Sequence, residues 1–402
     1  MSEWHSSILK LASSDIDYLN REELKFKLEV RPIKKDEYEV TPHSWVGVIR
    51  LPSSTIVRIL PKIELRNLFT IFNYIFNLNL DSFYIEEKEV KFEGGPELIE
   101  LFARLFLSEV TAVIQQGLYK SYVTKQENLP YIKGKILVTK SLAKNQSNQQ
   151  LTYCEYDDLT PNNLENRSLL YAAHLLSNLP LSRHTADGIY DMINLLLSQD
   201  IELEKVTEAQ IDLEKLSLNR LNEYYGKALD LASLIISSLY IESLFASDTS
   251  GFSFLINMNK VFESLITKLV VDTYTNYDVR SQKKLKNIVI ETSYGLDKPK
   301  LKPDIEIWDK DIIVRILDAK YKEFSFGDKV QSADIYQAII YSFAWKNDVI
   351  LVFPSAYENN GGWHKLSNGK ILYIKTIKLD KSLKGRQYIE DLQMQIKNII
   401  GL

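Results

Sequence analysis

Two short apolar segments joined by a tight turn constrain the fold of this chain more than any other feature. They read Leu301-Lys302-Pro303-Asp304-Ile305-Glu306-Ile307-Trp308 and Ile312-Ile313-Val314-Arg315-Ile316-Leu317-Asp318-Ala319-Lys320-Tyr321, with Asp309-Lys310-Asp311 between them. Runs this rich in β-branched residues predict two antiparallel strands. Side chains alternate faces along a strand, so Asp318 and Lys320 share one. A turn centred on Lys310 sets residue 304 opposite 316 and residue 302 opposite 318. Asp304 then lies diagonal to Asp318 on the same face. Ile305, Ile307, Ile313, Leu317 and Ala319 line the other face, as a core requires, and Arg315 breaks that pattern.

Two carboxylates a few ångströms apart repel one another unless a cation sits between them. Mg²⁺ prefers carboxylate oxygens and retains waters. Such an ion polarises a phosphodiester and lowers the pKa of an attacking water. Lys320 adds positive charge where a phosphoryl transition state gains negative charge. The ordinary alternative is a structural ion pair, since acidic-x-Lys triplets also occur at Glu23-Lys25, Glu86-Lys88 and Glu89-Lys91. Only the triplet at 318–320 ends an apolar strand that follows a Pro-Asp strand. Gln337 and Tyr341 lie four apart on the predicted helix Ala333–Trp345 and so share a helix face. Glu263 interrupts the apolar run Val261–Ile266, where a carboxylate faces solvent or points into a site. Next to the strand pair it becomes a candidate extra metal or water ligand.

A chain of 402 residues is long enough for two or three domains. The expected division is an amino-terminal α+β part over 1–160, a helical region over 161–250 and a mixed α/β sheet flanked by helices over 251–402. Alternating strands are read at 25–30, 45–49 and 55–60, and helices at 65–78 and 97–116. Strands follow over 118–140 with a turn at Lys133-Gly134-Lys135, then a polar loop from Lys144 to Gln150. Ser247–Gly251 is the best linker signal. Beyond it come helix 261–274, strands at 288–292, 301–308 and 312–322, helix 333–345, strands 349–353 and 371–377, and helix 388–400.

The one cysteine, Cys154, excludes an intrachain disulfide and a cysteine-rich zinc site, which fits a reducing cytoplasm. Met1-Ser2-Glu3-Trp4-His5 is no signal peptide, and Leu229–Phe245 is too short and polar to span a bilayer, so no membrane is expected. No histidines pair at metal-ligand spacing, and no phosphate-binding loop is present, so the chain should not hydrolyse nucleotide by itself. Residues 251–402 hold 23 Lys and Arg against 18 Asp and Glu, about +5, while the remainder, with 26 against 35, carries about −9. The mildly basic end suits a polyanion, but +5 is a modest pull, so tight DNA binding is expected to need a partner. Lys133, Lys135, Lys140 and Lys144 form a basic segment around a glycine. It suits contact with DNA or protein, or simply a solvated hairpin edge.

At these residues the chain resembles a known family. Pro303-Asp304, Asp318-Ala319-Lys320 and Gln337-x-x-x-Tyr341, with the helical Glu263 upstream, look like the PD-(D/E)XK nuclease superfamily. More narrowly, Asp-Ala-Lys-Tyr-Lys at 318–322, Ala-Asp-Ile-Tyr-Gln at 333–337 and Met258–Glu263 resemble the McrC family, the endonuclease subunits of McrBC 5-methylcytosine restriction systems. Val46–Ile49, Ile59–Ile63, Gly134–Ile136 and Asp157–Asn163 through Arg167 extend the likeness over most of 45–345. The resemblance implies a restriction-endonuclease-like fold at 251–402 and a Mg²⁺-dependent endonuclease acting on double-stranded DNA. It implies a hexameric McrB-like AAA+ GTPase as partner, with the amino-terminal part docking into that ring and stimulating hydrolysis. Carried over, Asp304, Asp318 and Glu263 bind Mg²⁺, Lys320 assists attack, and Gln337 and Tyr341 support the site. A competing reading is a non-catalytic adaptor that activates the motor, motivated by the acidic amino-terminal portion.

Overall fold

The computed structural model describes residues 1–77, 96–145, 150–215, 217–241, 251–281, 286–287, 300–322, 330–355, 361–379 and 382–402. Contacts divide the described residues into two compact units. One combines those of Met1–Gly94 with Gly251 and those of Leu255–Leu402; the other combines those of Gly95–Asp248 with Phe252–Phe254. The sequence suggests three consecutive segments instead. Tertiary contacts rather than chain order set the division, so residues before 95 and after 254 belong to one unit.

The first unit is centred on a six-stranded mixed sheet: β1 (Asp278–Ser281), β2 (Ile305–Asp309), β3 (Ile312–Ala319), β4 (Val349–Ser355), β5 (Gly362–Lys365) and β6 (Ile371–Lys378). The spatial order is β1-β2-β3-β4-β6-β5. β3, β4 and β6 run parallel, and the remaining pairings are antiparallel. Helix α2 (Ser332–Trp345) forms the crossover between β3 and β4, as a parallel connection requires. Its Ala338 and Tyr341 pack with Ile316, Val349, Leu351, Phe353, Leu372 and Ile374. Helices α1 (Met258–Thr273) and α3 (Gly385–Ile400) also pack on the sheet. The buried residues of α3, Tyr388, Leu392, Ile396, Ile399 and Ile400, recur at helical spacing. Most strands and helices read from 251–402 are present. The strands Asp278–Ser281 and Gly362–Lys365 were not anticipated, and the strand read at 288–292 lies outside the described residues.

The register of the β2–β3 hairpin differs from expectation. Ile305 faces Leu317 and Glu306 faces Ile316, whereas Trp308 faces Ile313 and Asp309 faces Ile312. Two displacements add. The turn holds two residues, with Lys310 at φ 55°. Val314 is then an extra residue on β3, between the partners of Ile307 and Trp308. The bulge turns Ile313 away from the Ile305–Ile307–Leu317 face and onto the cluster beneath α2. Continued one step past Ile305, the register sets Asp304 level with Asp318 rather than diagonal to it.

In the amino-terminal part of this unit, Ser7–Lys10, Glu37–Pro42 and Leu28–Lys34 form a three-stranded sheet, and Trp45–Arg50 pairs with Ile56–Ile59. Lys25–Lys27, read as strand, is a turn. Helix Leu65–Phe76 ends where Asn77 adopts φ 49°, a left-handed cap.

The second unit packs helices Pro96–Gln116, Leu164–Ser177, Arg183–Ser198 and Gly226–Ser238, together with a sheet of Ser121–Leu129, Thr152–Thr160 and Lys135–Ile136. The expectation of strand through 140 is corrected here, because Val138–Lys144 is a helix. Its fold is tied by Glu100, which accepts from Ser182 N (2.9 Å), Ser182 Oγ (2.7 Å), Thr185 Oγ1 (2.6 Å) and Arg104 Nε (2.8 Å). Burial alone would raise its pKa, but the hydroxyl, amide and guanidinium donors outweigh burial and hold it at about 2. Its folded pKa lies below its unfolded one, so its contribution is complete above the unfolded value and is lost as pH falls towards 2. Glu100→Ala is expected to cost about 1–2 kcal/mol at neutral pH. The low end applies because 21% of the side chain remains exposed. Urea titration followed by circular dichroism at pH 7 and pH 3 checks it; an equal loss at both pH values would contradict the assignment.

Candidate active site

The strand β3 carries its charges at its carboxy-terminal end, beside the first turns of α2. Asp318 is 1% exposed, while Asp304 is half-buried just before β2. Pro303 lacks an N–H for the ladder, so the chain joins β2 only after it. Asp304 Oδ2 instead accepts from Ala319 N at 2.8 Å, which pins the two strands together at the charged end. Lys320 Nζ lies 2.5 Å from Asp318 Oδ2.

The supporting residues form a relay. Lys320 Nζ donates to Gln337 Oε1 (2.9 Å), Gln337 Nε2 donates to Tyr341 Oη (2.9 Å), and Tyr341 donates to the Lys302 carbonyl (2.9 Å). Every polar group of the relay is thereby used, and the ammonium is held between a carboxylate and an amide. The structure therefore brings Asp304, Asp318, Lys320, Gln337 and Tyr341 together. Glu263 is half-buried on α1 and close enough to bear on the charge of Asp304 and Tyr341. Among the described residues, however, no three His, Cys, Asp or Glu side chains close into a metal-holding group.

Electrostatics at this end of the sheet are unbalanced. Burial, then the neighbouring Glu263, pushes the Asp304 carboxyl upward against the opposing Ala319 N–H and Lys320. Burial, then Asp304, pushes the Asp318 carboxyl upward against Lys320. Burial alone would lower the Lys320 pKa, but Asp318, with Asp304 and Asp334, outweighs burial and holds it above the ordinary lysine value. Tyr341 is raised by burial and by the charges of Asp318 and Asp304, so it stays a neutral phenol. Lys320, with Lys302 also acting on Asp304, does not offset the buried Asp318, the half-buried Asp304 and the nearby Glu263. That deficit, with oxygen donors alone, suits a hard divalent cation.

Two contacts were not read from the sequence. Lys322 Nζ bonds both Asp334 oxygens (2.9 and 2.8 Å) and Gln331 Oε1 (2.8 Å), fastening the chain beyond β3 to the start of α2. The period-two spacing from Lys320 was a signal for that placement. Tyr321 donates to Glu3 (2.7 Å), for which no local pattern gave notice. The four lysines of the basic segment, two of them on the helix Val138–Lys144, all have partners within the unit. Lys133 pairs with Asp158, Lys135 with Glu155, and Lys140 bonds Gln126, while Lys144 stacks over Tyr153.

Fold and site together define a multidomain α/β protein with a buried carboxylate–lysine centre at the end of a mixed sheet. Residues 40–354 match the family described as McrBC 5-methylcytosine restriction system component, and the chain belongs to that family. No curated protein matches it. Among solved structures it is similar to the refined half-complex from the tetradecameric assembly of Thermococcus gammatolerans McrB AAA+ hexamers with bound McrC. That chain is 16% identical with a TM-score of 0.54, and the match covers 99% of each chain. The cryo-EM structure of the Thermococcus gammatolerans McrBC complex is 17% identical with a TM-score of 0.44, covering 69% of this chain and 88% of that one. The first of these shows a shared fold. No described helix is long and apolar enough to cross a membrane.

Proposed function

We propose that this chain is the Mg²⁺-dependent DNA endonuclease subunit of a McrBC-like restriction system, with a PD-(D/E)XK nuclease site, active with a hexameric McrB-like AAA+ GTPase. The observation that carries this reading is the convergence of Asp304, Asp318 and Lys320 at one end of the mixed sheet. Family membership supports the system. The half-complex of McrB AAA+ hexamers with bound McrC supports the kind of partner. The second unit supports docking, because Tyr122, Tyr131, Ile132, Val138, Leu142 and Leu159 are exposed on and around its small sheet.

Asp304 and Asp318 would hold the metal, with Glu263 as a further ligand on the metal itself or through water. A bound divalent ion supplies Lewis-acid charge and a more acidic water. Lys320, kept protonated by Asp318, presents positive charge to the phosphate rather than acting as a base. Gln337 fixes the direction of that ammonium, and Tyr341 fixes Gln337. The Ala319 N–H keeps Asp304 facing Asp318 as substrate enters.

The test is plasmid cleavage by the purified chain with its partner motor, Mg²⁺ and GTP, followed on agarose gels. Cleavage is expected only when all components are present, and excess EDTA is expected to remove it. Cleavage unaffected by the chelator would overturn the metal assignment. Stimulated nucleotide hydrolysis without any cleavage would favour the adaptor reading instead.

A further inference from the structure

The amino terminus of the chain reaches the proposed nuclease strand. Glu3 is fully buried. Its Oε1 accepts from Lys62 N at 2.7 Å and from the Tyr321 hydroxyl at 2.7 Å. The segment that carries it is not a loose end. Glu3 N donates to Leu60 O (3.1 Å), Leu60 N to Met1 O (2.9 Å), and Trp4 N to Pro42 O (2.8 Å). Tyr321 is 3% exposed, with its ring 5.6 Å from that of Phe262, the neighbour of Glu263 on α1. Burial, then Glu3, raises the Tyr321 pKa, so the hydroxyl remains a donor.

Tyr321 directly follows Lys320. The backbone of Lys320 lies just past the end of β3, its N–H donating to Val352 O (2.9 Å) and its carbonyl accepting from Lys322 N (2.9 Å). Tyr321 and Lys322 then point to opposite sides, one anchored by Glu3 and the other by Asp334. Those two anchors flank the point at which the chain leaves the sheet, directly after Lys320. A buried carboxylate is a costly way to gain stability, since an apolar pair of similar volume serves as well or better. Its placement against the residue after the lysine is what a positioning role requires.

We infer that Glu3 is a positioning residue for the cleavage site, acting through the Tyr321 hydroxyl on Lys320. This rests on the endonuclease reading above. The link joins the first residues of the chain to the reacting end of β3 through one hydrogen bond.

The experiment is single-turnover cleavage of plasmid by the full-length chain with its partner motor, Mg²⁺ and GTP. Its rate constant reports the site of the folded molecules and its amplitude reports how many are folded. Glu3→Ala and Tyr321→Phe are each expected to lower the rate constant about tenfold at saturating DNA and Mg²⁺, the usual cost of removing an outer support of a metal site. Glu3→Gln, whose amide oxygen can accept from both donors, is expected to stay within about twofold of wild type. The double variant Glu3→Ala/Tyr321→Phe is expected to be no slower than the slower single one, because both remove the same bond. Wild-type rate constants with reduced amplitudes or melting temperatures would make the bond merely structural and overturn the proposal. Tyr321→Phe keeps the ring against Phe262, so it tests the bond even if Glu3→Ala fails to fold; a wild-type rate constant for it is equally fatal. Absence of cleavage by the unmodified chain, or equal cleavage by Asp318→Ala, overturns the endonuclease reading, and this inference with it. Loss in Asp318→Ala with none in the Glu3 and Tyr321 variants overturns the inference alone.

Discussion

Asp318→Ala is expected to lower plasmid cleavage by the assembled complex at least ~1,000-fold, about 4 kcal/mol of transition-state stabilisation. The loss should be large because one substitution removes three things. It takes away a proposed metal ligand, the partner of Lys320 at 2.5 Å, and half of the charge pair that creates demand for a cation. Lys320 would keep Gln337 as acceptor but lose the nearest of the carboxylates that oppose the downward pull of burial on its pKa. Binding to the partner motor should persist, because Asp318 lies beneath α2 in the first unit whereas the exposed apolar residues proposed for docking lie in the second. Gel-based cleavage and co-purification with the motor, done on the same preparation, separate the two effects. Cleavage within tenfold of wild type would remove Asp318 from the mechanism.

The charged end of this sheet was legible because its signals are local and periodic. Asp318 and Lys320 are two apart on a strand, and Gln337 and Tyr341 are four apart on a helix; both spacings put the pairs on one face. What failed was the register. Lys310 takes a left-handed conformation without being glycine or asparagine, and Val314 bulges though it is an ordinary β-branched residue. Neither carries a mark that a reader of sequence can use. Asp304 and Asp318 still share a face because the two displacements add to two residues. Contacts spanning most of the chain were invisible for another reason. No periodicity joins Glu3 to Tyr321, and tertiary packing alone brings them together. The strand Gly362–Lys365 was missed because its four residues are all exposed at a sheet edge, where burial imposes no alternation. Val138–Lys144 shows the converse, a short exposed helix begun by β-branched residues that read as strand.

Asp304→Asn separates what the site costs the fold from what it gives the chemistry. The asparagine carbonyl can keep the bond from Ala319 N, so the strand junction is retained while one negative charge is removed. In the native chain the Asp304 carboxyl is raised by burial and by Glu263, above its unfolded value. A group shifted this way costs nothing where both states are protonated, below about pH 3. The cost appears as pH rises, because the unfolded chain then releases its proton more readily, and it is complete above the folded pKa. Without metal, Asp304→Asn is therefore expected to melt a few degrees higher than wild type at pH 8, from about 1 kcal/mol of relieved repulsion, and the gain should vanish below about pH 3. Adding Mg²⁺ should raise the melting temperature of wild type more than that of the variant, since binding to the folded state alone stabilises it. Cleavage by the variant should fall at least ~100-fold, about 2.7 kcal/mol. Thermal melts across pH with and without Mg²⁺, set beside cleavage rates, test each limb. A variant that melts lower than wild type at pH 8 without metal would show that no relievable repulsion exists there. Undiminished cleavage by it would take Asp304 out of the reacting centre.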